Sequence, residues 1–249
     1  MDKIEEHVFD DINFFPKKMK VLILGTFPVP NFSNIEKFER LSDLEKENAW
    51  YYSSKRSEFW KIIADSFDID YKKDNKDFLT NKIKKKKLFE DKQIGIADVF
   101  SKCKRKNIES ARDTDLIILE YNNILADIIN NEDNYKYLKS IIFTSRFTEN
   151  NFFKILNNNN IDYSLEYSDE VSRYYNNGIN DKGITIDIIN SLKERYLYKD
   201  NKDKFYSISD NNNRKKIKIS TITLKISPIK GVSLYSTKRE LYRYYINNF

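Results

Sequence analysis

The chain carries one cysteine, Cys103, and one histidine, His7. A single thiol rules out an intramolecular disulfide and any four-cysteine zinc or iron–sulfur centre. The lone histidine falls in a terminal segment expected to fray, which leaves no histidine cluster for a metal either. Apolar runs are short. No segment approaches the roughly 18 uninterrupted apolar residues of a membrane span. The opening Met1-Asp-Lys-Ile-Glu-Glu6 lacks the basic-then-apolar order of a secretory signal. No internal repeat is visible. These absences predict a cytoplasmic monomer with no membrane, metal or cofactor requirement.

What is present fits one domain over residues 1–249, with 40% hydrophobic content and ample length to bury a core. Lysine and arginine number 44 against 38 acidic residues, a net charge of +6. A basic chain favours polyanions, because binding phosphate releases counterions. Part of the lysine excess accompanies an abundance of Asn and Ile, as AT-rich codons would supply. The densest basic run, Lys82 with Lys84 to Lys87, reads equally as a solvated helix face or a phosphate-binding strip.

Helical and extended patterns alternate. Residues 19–24 read as a buried strand, Glu36 to Glu47 as a helix, and Phe59, Ile62, Ile63 and Phe67 as one helical stripe. Ile94 to Ala97 is a short strand, Leu116 to Asn130 a helix, and Leu138 to Phe143 a strand whose following helix Ser145 or Thr148 would cap. Lys215 to Ile226 alternates as a strand should. The last helix carries a capping-box signature, Thr237-Lys-Arg-Glu240. Such alternation predicts a three-layer α/β/α sandwich around a central, mainly parallel sheet. The polar stretch around 196–214 reads as an insertion.

The most informative segment is Leu22-Ile-Leu-Gly-Thr-Phe-Pro-Val-Pro30. Two prolines hold its exit extended. The strand thus delivers Gly25, Thr26 and Phe27 to the carboxyl edge of the sheet, where open α/β folds place ligands. Glycine admits a close approach, Thr26 offers a hydroxyl, and Phe27 offers a ring to stack on or a side chain for the core. Two further segments follow in order: Tyr51-Tyr-Ser-Ser-Lys-Arg-Ser-Glu-Phe-Trp60 and Ile94-Gly-Ile-Ala-Asp-Val-Phe-Ser-Lys-Cys103. Together the three resemble the uracil-DNA glycosylase superfamily, nearest to the branch that includes hypoxanthine-DNA glycosylase. That branch reads G-S-F-P, then Y-Y-x-x-x-R-N-x-F-W, then G-I-A…D-V and a basic stretch. The matching residues are Gly25, Phe27 and Pro28; Tyr51, Tyr52, Arg56, Phe59 and Trp60; and Gly95 to Val99. Ile141 to Ser145 is similar to the family's later strand. Ser227-Pro228 stands where the family has a loop that enters DNA.

The resemblance implies a DNA glycosylase that flips a deaminated or modified base out of duplex or single-stranded DNA and hydrolyses its N-glycosidic bond by water attack. Gly25, Thr26, Phe27 and Tyr52 would then hold the base. Arg56, Lys102, Lys104, Arg105, Ser227, Pro228 and Lys230 would grip the backbone, although Arg56 could equally pair with a carboxylate of the fold. The sequence departs from the family where water is handled. Phe27 fills a position that other branches give to an acidic or amide residue. Ser57 replaces the branch's asparagine, and the DNA loop has no histidine. Asp98, Ser57 and Glu58 are the remaining candidates for water and charge, with Asp98 alternatively capping a helix from Val99. A catalytically quiet nucleic-acid-binding relative is the competing expectation, and a nucleoside hydrolase a third.

Overall fold

The structure, a computed structural model, describes residues 3–8, 12–54, 57–73, 75–130, 136–161, 163–167, 205–210, 216–221 and 234–247. Its strands are β1 (Glu5–Glu6), β2 (Asn13–Phe14), β3 (Val21–Gly25), β4 (Ile94–Asp98), β5 (Phe100–Arg105), β6 (Leu116–Tyr121), β7 (Ser140–Phe143), β8 (Tyr163–Tyr167), β9 (Phe205–Asp210) and β10 (Lys216–Thr221). The helices are α1 (Ile35–Phe38), α2 (Asp43–Glu47), α3 (Phe59–Ser66), α4 (Lys82–Asp91), α5 (Ile124–Asn130), α6 (Arg146–Asn158) and α7 (Leu234–Asn247).

A seven-stranded sheet runs in the order β2-β4-β3-β7-β10-β9-β8. Its centre is parallel, β4 with β3, β3 with β7 and β7 with β10, and antiparallel pairs flank it on both sides. Every residue of β3, β4 and β7 is buried, as a parallel sheet covered on both faces requires. Alternation along β3 divides the core. Val21 and Ile23 pack with α3, α4 and α7, whereas Leu22 and Leu24 pack with α5 and α6. Each such side chain contributes roughly 1.5–3 kcal/mol on burial. The first core is aromatic, with Trp50 stacked on Trp60 at 5.4 Å. The second extends beneath a smaller sheet, ordered β1-β5-β6, through Phe100, Cys103 and Leu116. The fold is the expected α/β sandwich with a mainly parallel centre.

Several elements differ from expectation. The helix read over Glu36 to Glu47 is two short ones, because Ser42 starts α2 afresh with a capping box to Glu45. Leu116 to Tyr121 is a strand and not the start of a helix, since it holds the β-branched pair Ile117-Ile118 and finds β5 as an antiparallel partner. Only Ile124 to Asn130 of that stretch is helical. The last helix starts at Leu234, so Thr237 lies inside it and does not cap it. Of the stretch 196–214 read as an insertion, the described residues are those of β9, which pairs with β8 and β10; the others lie outside the described residues, and the insertion reading stands as an expectation. Among the described residues no helix is long and apolar enough to cross a membrane.

Candidate functional site

The chain leaves β3 toward β4 on one side, and returns from β4 to β7 on the other side of β3. That reversal puts a topological switch point at the strands' carboxyl ends, the position where such sheets hold ligands. Gly25 and Asp98, the last residues of β3 and β4, are direct partners in the ladder. Past them the chains stay joined, with the Gly25 carbonyl accepting from Val99 N–H at 3.0 Å and the Thr26 carbonyl from Phe100 N–H at 3.3 Å. The step from Asp98 into β5 excludes the helix-cap reading of Asp98. Its carboxyl instead folds back over Gly25. A Cβ on Gly25 would stand 2.1 Å from Asp98 Oδ1 and 2.7 Å from the Tyr52 hydroxyl. A side chain at position 25 would therefore displace the Asp98 carboxyl and the Tyr52 hydroxyl from where they meet.

Asp98 is 4% exposed. Burial, and then the nearby negative charge of Asp113, push its carboxyl up to about 8. At neutral pH most molecules therefore carry it protonated. Tyr52, held in a left-handed turn with φ 54°, donates to Thr144 Oγ1 at 3.0 Å, and Thr144 Oγ1 passes the bond to the Leu24 carbonyl at 3.1 Å. A tyrosine in that backbone region is strained by roughly 1 kcal/mol or more. Stacking on Phe59 at 4.3 Å, with the hydroxyl chain, fixes the ring where the strain places it. Burial and then Asp98 raise the Tyr52 hydroxyl well above its ordinary value, so it stays a proton donor.

His7 belongs to this site and not to a frayed end. Its side chain is 3% exposed, with Nε2 at 3.5 Å from Asp98 Oδ2. The ring stands edge-on to Phe27 at 5.4 Å and to Tyr51 at 6.2 Å. Burial lowers the imidazole to about 4, against an opposing hydrogen bond with the Phe100 carbonyl, so His7 is neutral at pH 7. The clue in the sequence was apolar content close by, at Val8, Ile12 and Phe14. Asp113 was likewise missed, because Arg112-Asp-Thr-Asp115 reads only as a polar turn.

The other expected site residues divide clearly. Phe27 is half-buried beside His7, with the Arg105 guanidinium 5.9 Å over its ring. The Thr26 hydroxyl bonds Thr148 Oγ1 at 2.7 Å and Asp113 Oδ2 at 3.2 Å, which ties it to the start of α6. Ser145 caps that helix as expected, accepting from Thr148 N–H at 3.0 Å. Ser57 accepts the Phe59 N–H at 3.3 Å and so is engaged at the start of α3, and Glu58 beside it is exposed. Arg105 departs from the expected phosphate track. It is buried, donates to Glu5 Oε2 at 2.8 Å and to the Ser110 carbonyl at 2.7 Å, and also bonds the Pro28 carbonyl. Lys102 and Lys104 alternate with it on the outer side of β5, and Lys102 lies 3.4 Å from both Glu6 and Glu120. Arg56, Ser227, Pro228 and Lys230 lie outside the described residues. Among the described residues, no group of three or more His, Cys, Asp or Glu is arranged to hold a metal ion.

No protein-family model matches the chain, and no curated protein matches it. A solution NMR structure from Methanosarcina acetivorans, described as a candidate uracil DNA glycosylase, is similar at 18% sequence identity and a TM-score of 0.41. The similarity covers 64% of this chain and 80% of that one.

Proposed function

We propose that this chain is a monofunctional DNA glycosylase that hydrolyses the N-glycosidic bond of a deaminated or otherwise modified base, by water attack without a lysine Schiff base. The observation that carries the reading is Asp98, a buried carboxyl laid over Gly25 at the carboxyl edge of the sheet, with the Tyr52 hydroxyl over the same glycine and Phe27 against His7. Glycoside cleavage builds positive charge on the sugar, and a flipped base needs an aromatic surface. A carboxyl held neutral by burial ionises readily when a cation forms against it. Its attraction is then strongest in the transition state, which is where binding accelerates a reaction. Ser57 is engaged with the Phe59 N–H and Glu58 is exposed at the start of α3, so the reading assigns the water to Asp98.

Duplex and single-stranded oligonucleotides carrying uracil, hypoxanthine, xanthine or bulkier modified pyrimidines test the reading. Abasic sites should appear on at least one of them. Persistent binding with no abasic site on any substrate would replace it with a second reading, a nucleic-acid-binding relative without turnover. That alternative is favoured by one observation: the Thr26 and Ser57 hydroxyls are both engaged in holding helix ends.

A further inference from the structure

We propose that His7 is a positioning residue and proton partner for Asp98, the two holding a single proton between them in the closed site. The inference rests on the glycosylase reading for its chemistry, and on geometry for the pairing. Nε2 and Oδ2 face each other at 3.5 Å with both side chains almost wholly shielded from water. That is longer than a hydrogen bond at rest, a looseness common where catalytic contacts tighten only with substrate. Neither group is stable alone as an ion in such surroundings, whereas a carboxylate beside an imidazolium is neutral overall. The same imidazole lies against Phe27, so a base stacking on that ring would complete the closure.

Asp98 begins with the proton and His7 without a charge. As positive charge grows on the sugar, the proton moves to His7 Nε2 and leaves a carboxylate toward the cation. The C1′–N bond breaks with its electron pair on the base, and the water oxygen bonds C1′. The water's proton goes to Asp98, and the proton on His7 passes through a water to the base nitrogen, which leaves neutral. The pair then holds one proton, as at the start.

Other titratable groups act on this pair from every side. Asp113 and Tyr52 interact with Asp98, Cys103 lies within its field, and Arg105 with Glu5 borders Phe27. Because His7 is the only histidine, isotope labelling with [15N]histidine gives one imidazole, and its nitrogen shifts can be followed against pH in the intact protein. Pairing predicts an inflection in those shifts near the Asp98 titration, at about 8, and its disappearance in Asp98→Asn. Flat shifts through that range, or an inflection that survives in Asp98→Asn, would overturn the proposal. Neither outcome depends on any oligonucleotide being cut, so the pairing and the glycosylase reading fail separately. On a substrate that is cut, folded His7→Gln should lose at least roughly tenfold in single-turnover rate and shift its pH limb. An unchanged rate and pH profile would also overturn it.

Discussion

At the residue scale, Asp98 and Lys85 show how burial sets chemistry. Raising the Asp98 carboxyl from 3.8 to about 8 means its neutral form is favoured by folding. That contribution is fully present below about 4 and is lost as pH climbs to about 8. Asp98→Asn, which cannot ionise, should therefore gain stability relative to the parent across that window, as read by paired denaturant titrations. Its single-turnover excision should fall by roughly a hundredfold or more while DNA affinity is kept, because the charge facing the sugar is lost and phosphate contacts are not. Lys85 works with the opposite sign. Within the basic run it is the one turned inward, 1% exposed, with Nζ 5.0 Å from the centre of the Trp60 ring. Burial lowers it from 10.5 to about 8. Folding thus favours its neutral form, and the protein should gain stability as pH rises from about 8 toward 10.5, by up to about 3 kcal/mol. Lys85→Met should be more stable than the parent at pH 7, and the difference should shrink toward pH 10.5 in thermal unfolding.

At the element scale, β5 separates what the sequence ran together. Lys102, Lys104 and Arg105 look alike as a basic stretch, but strand alternation sends Arg105 inward with Cys103 and the lysines outward. The two classes should respond differently. Arg105→Ala leaves Glu5 buried without its cation and should cost about 3–5 kcal/mol of stability. Lys104→Ala should leave stability unchanged, weaken DNA binding, and reduce the salt slope by about one phosphate contact. Fluorescence anisotropy over a salt series distinguishes them. The same element explains what sequence reading could and could not reach. Strands β3, β4 and β7 were legible because their apolar runs are continuous and end in Gly25 or polar residues. β6 was not, because Leu116, Leu119, Ile124 and Ile128 fit helical spacing, and only its pairing with β5 decides the matter. Gly25 and Asp98 were placed together because parallel neighbours share an edge. His7, Asp113 and Thr144 were missed because they converge through tertiary contacts that no local spacing encodes.

At the scale of the whole molecule, the site depends on the N-terminal segment closing over the sheet. β1 pairs with β5, β2 pairs with β4, and between them the chain brings Glu5 to Arg105 and His7 to Asp98. Ser33 Oγ also donates to Glu5 Oε2 at 2.6 Å, so the strap is anchored to the loop after β3 as well. One segment thus neutralises a buried arginine and shields a buried carboxyl. Deleting residues 1–8 should break both functions at once. The unpaired Arg105 should lower stability by several kcal/mol, which for a chain of this size is a fall of roughly 10 °C in melting temperature. Uncovering this edge of the sheet should also admit water to Asp98 and bring its carboxyl down toward the ordinary range, since desolvation is the main cause of its elevation. The two effects can be separated. In Arg105→Met with Glu5→Leu the ion pair is replaced by apolar side chains, which is near neutral for stability, so deleting residues 1–8 from that background should cost far less in melting temperature. The drop in the Asp98 pKa should remain, visible as loss of the stability change between about pH 4 and 8. If that pH dependence persists after the deletion, then the sheet and Asp113, and not the strap over them, hold the carboxyl neutral.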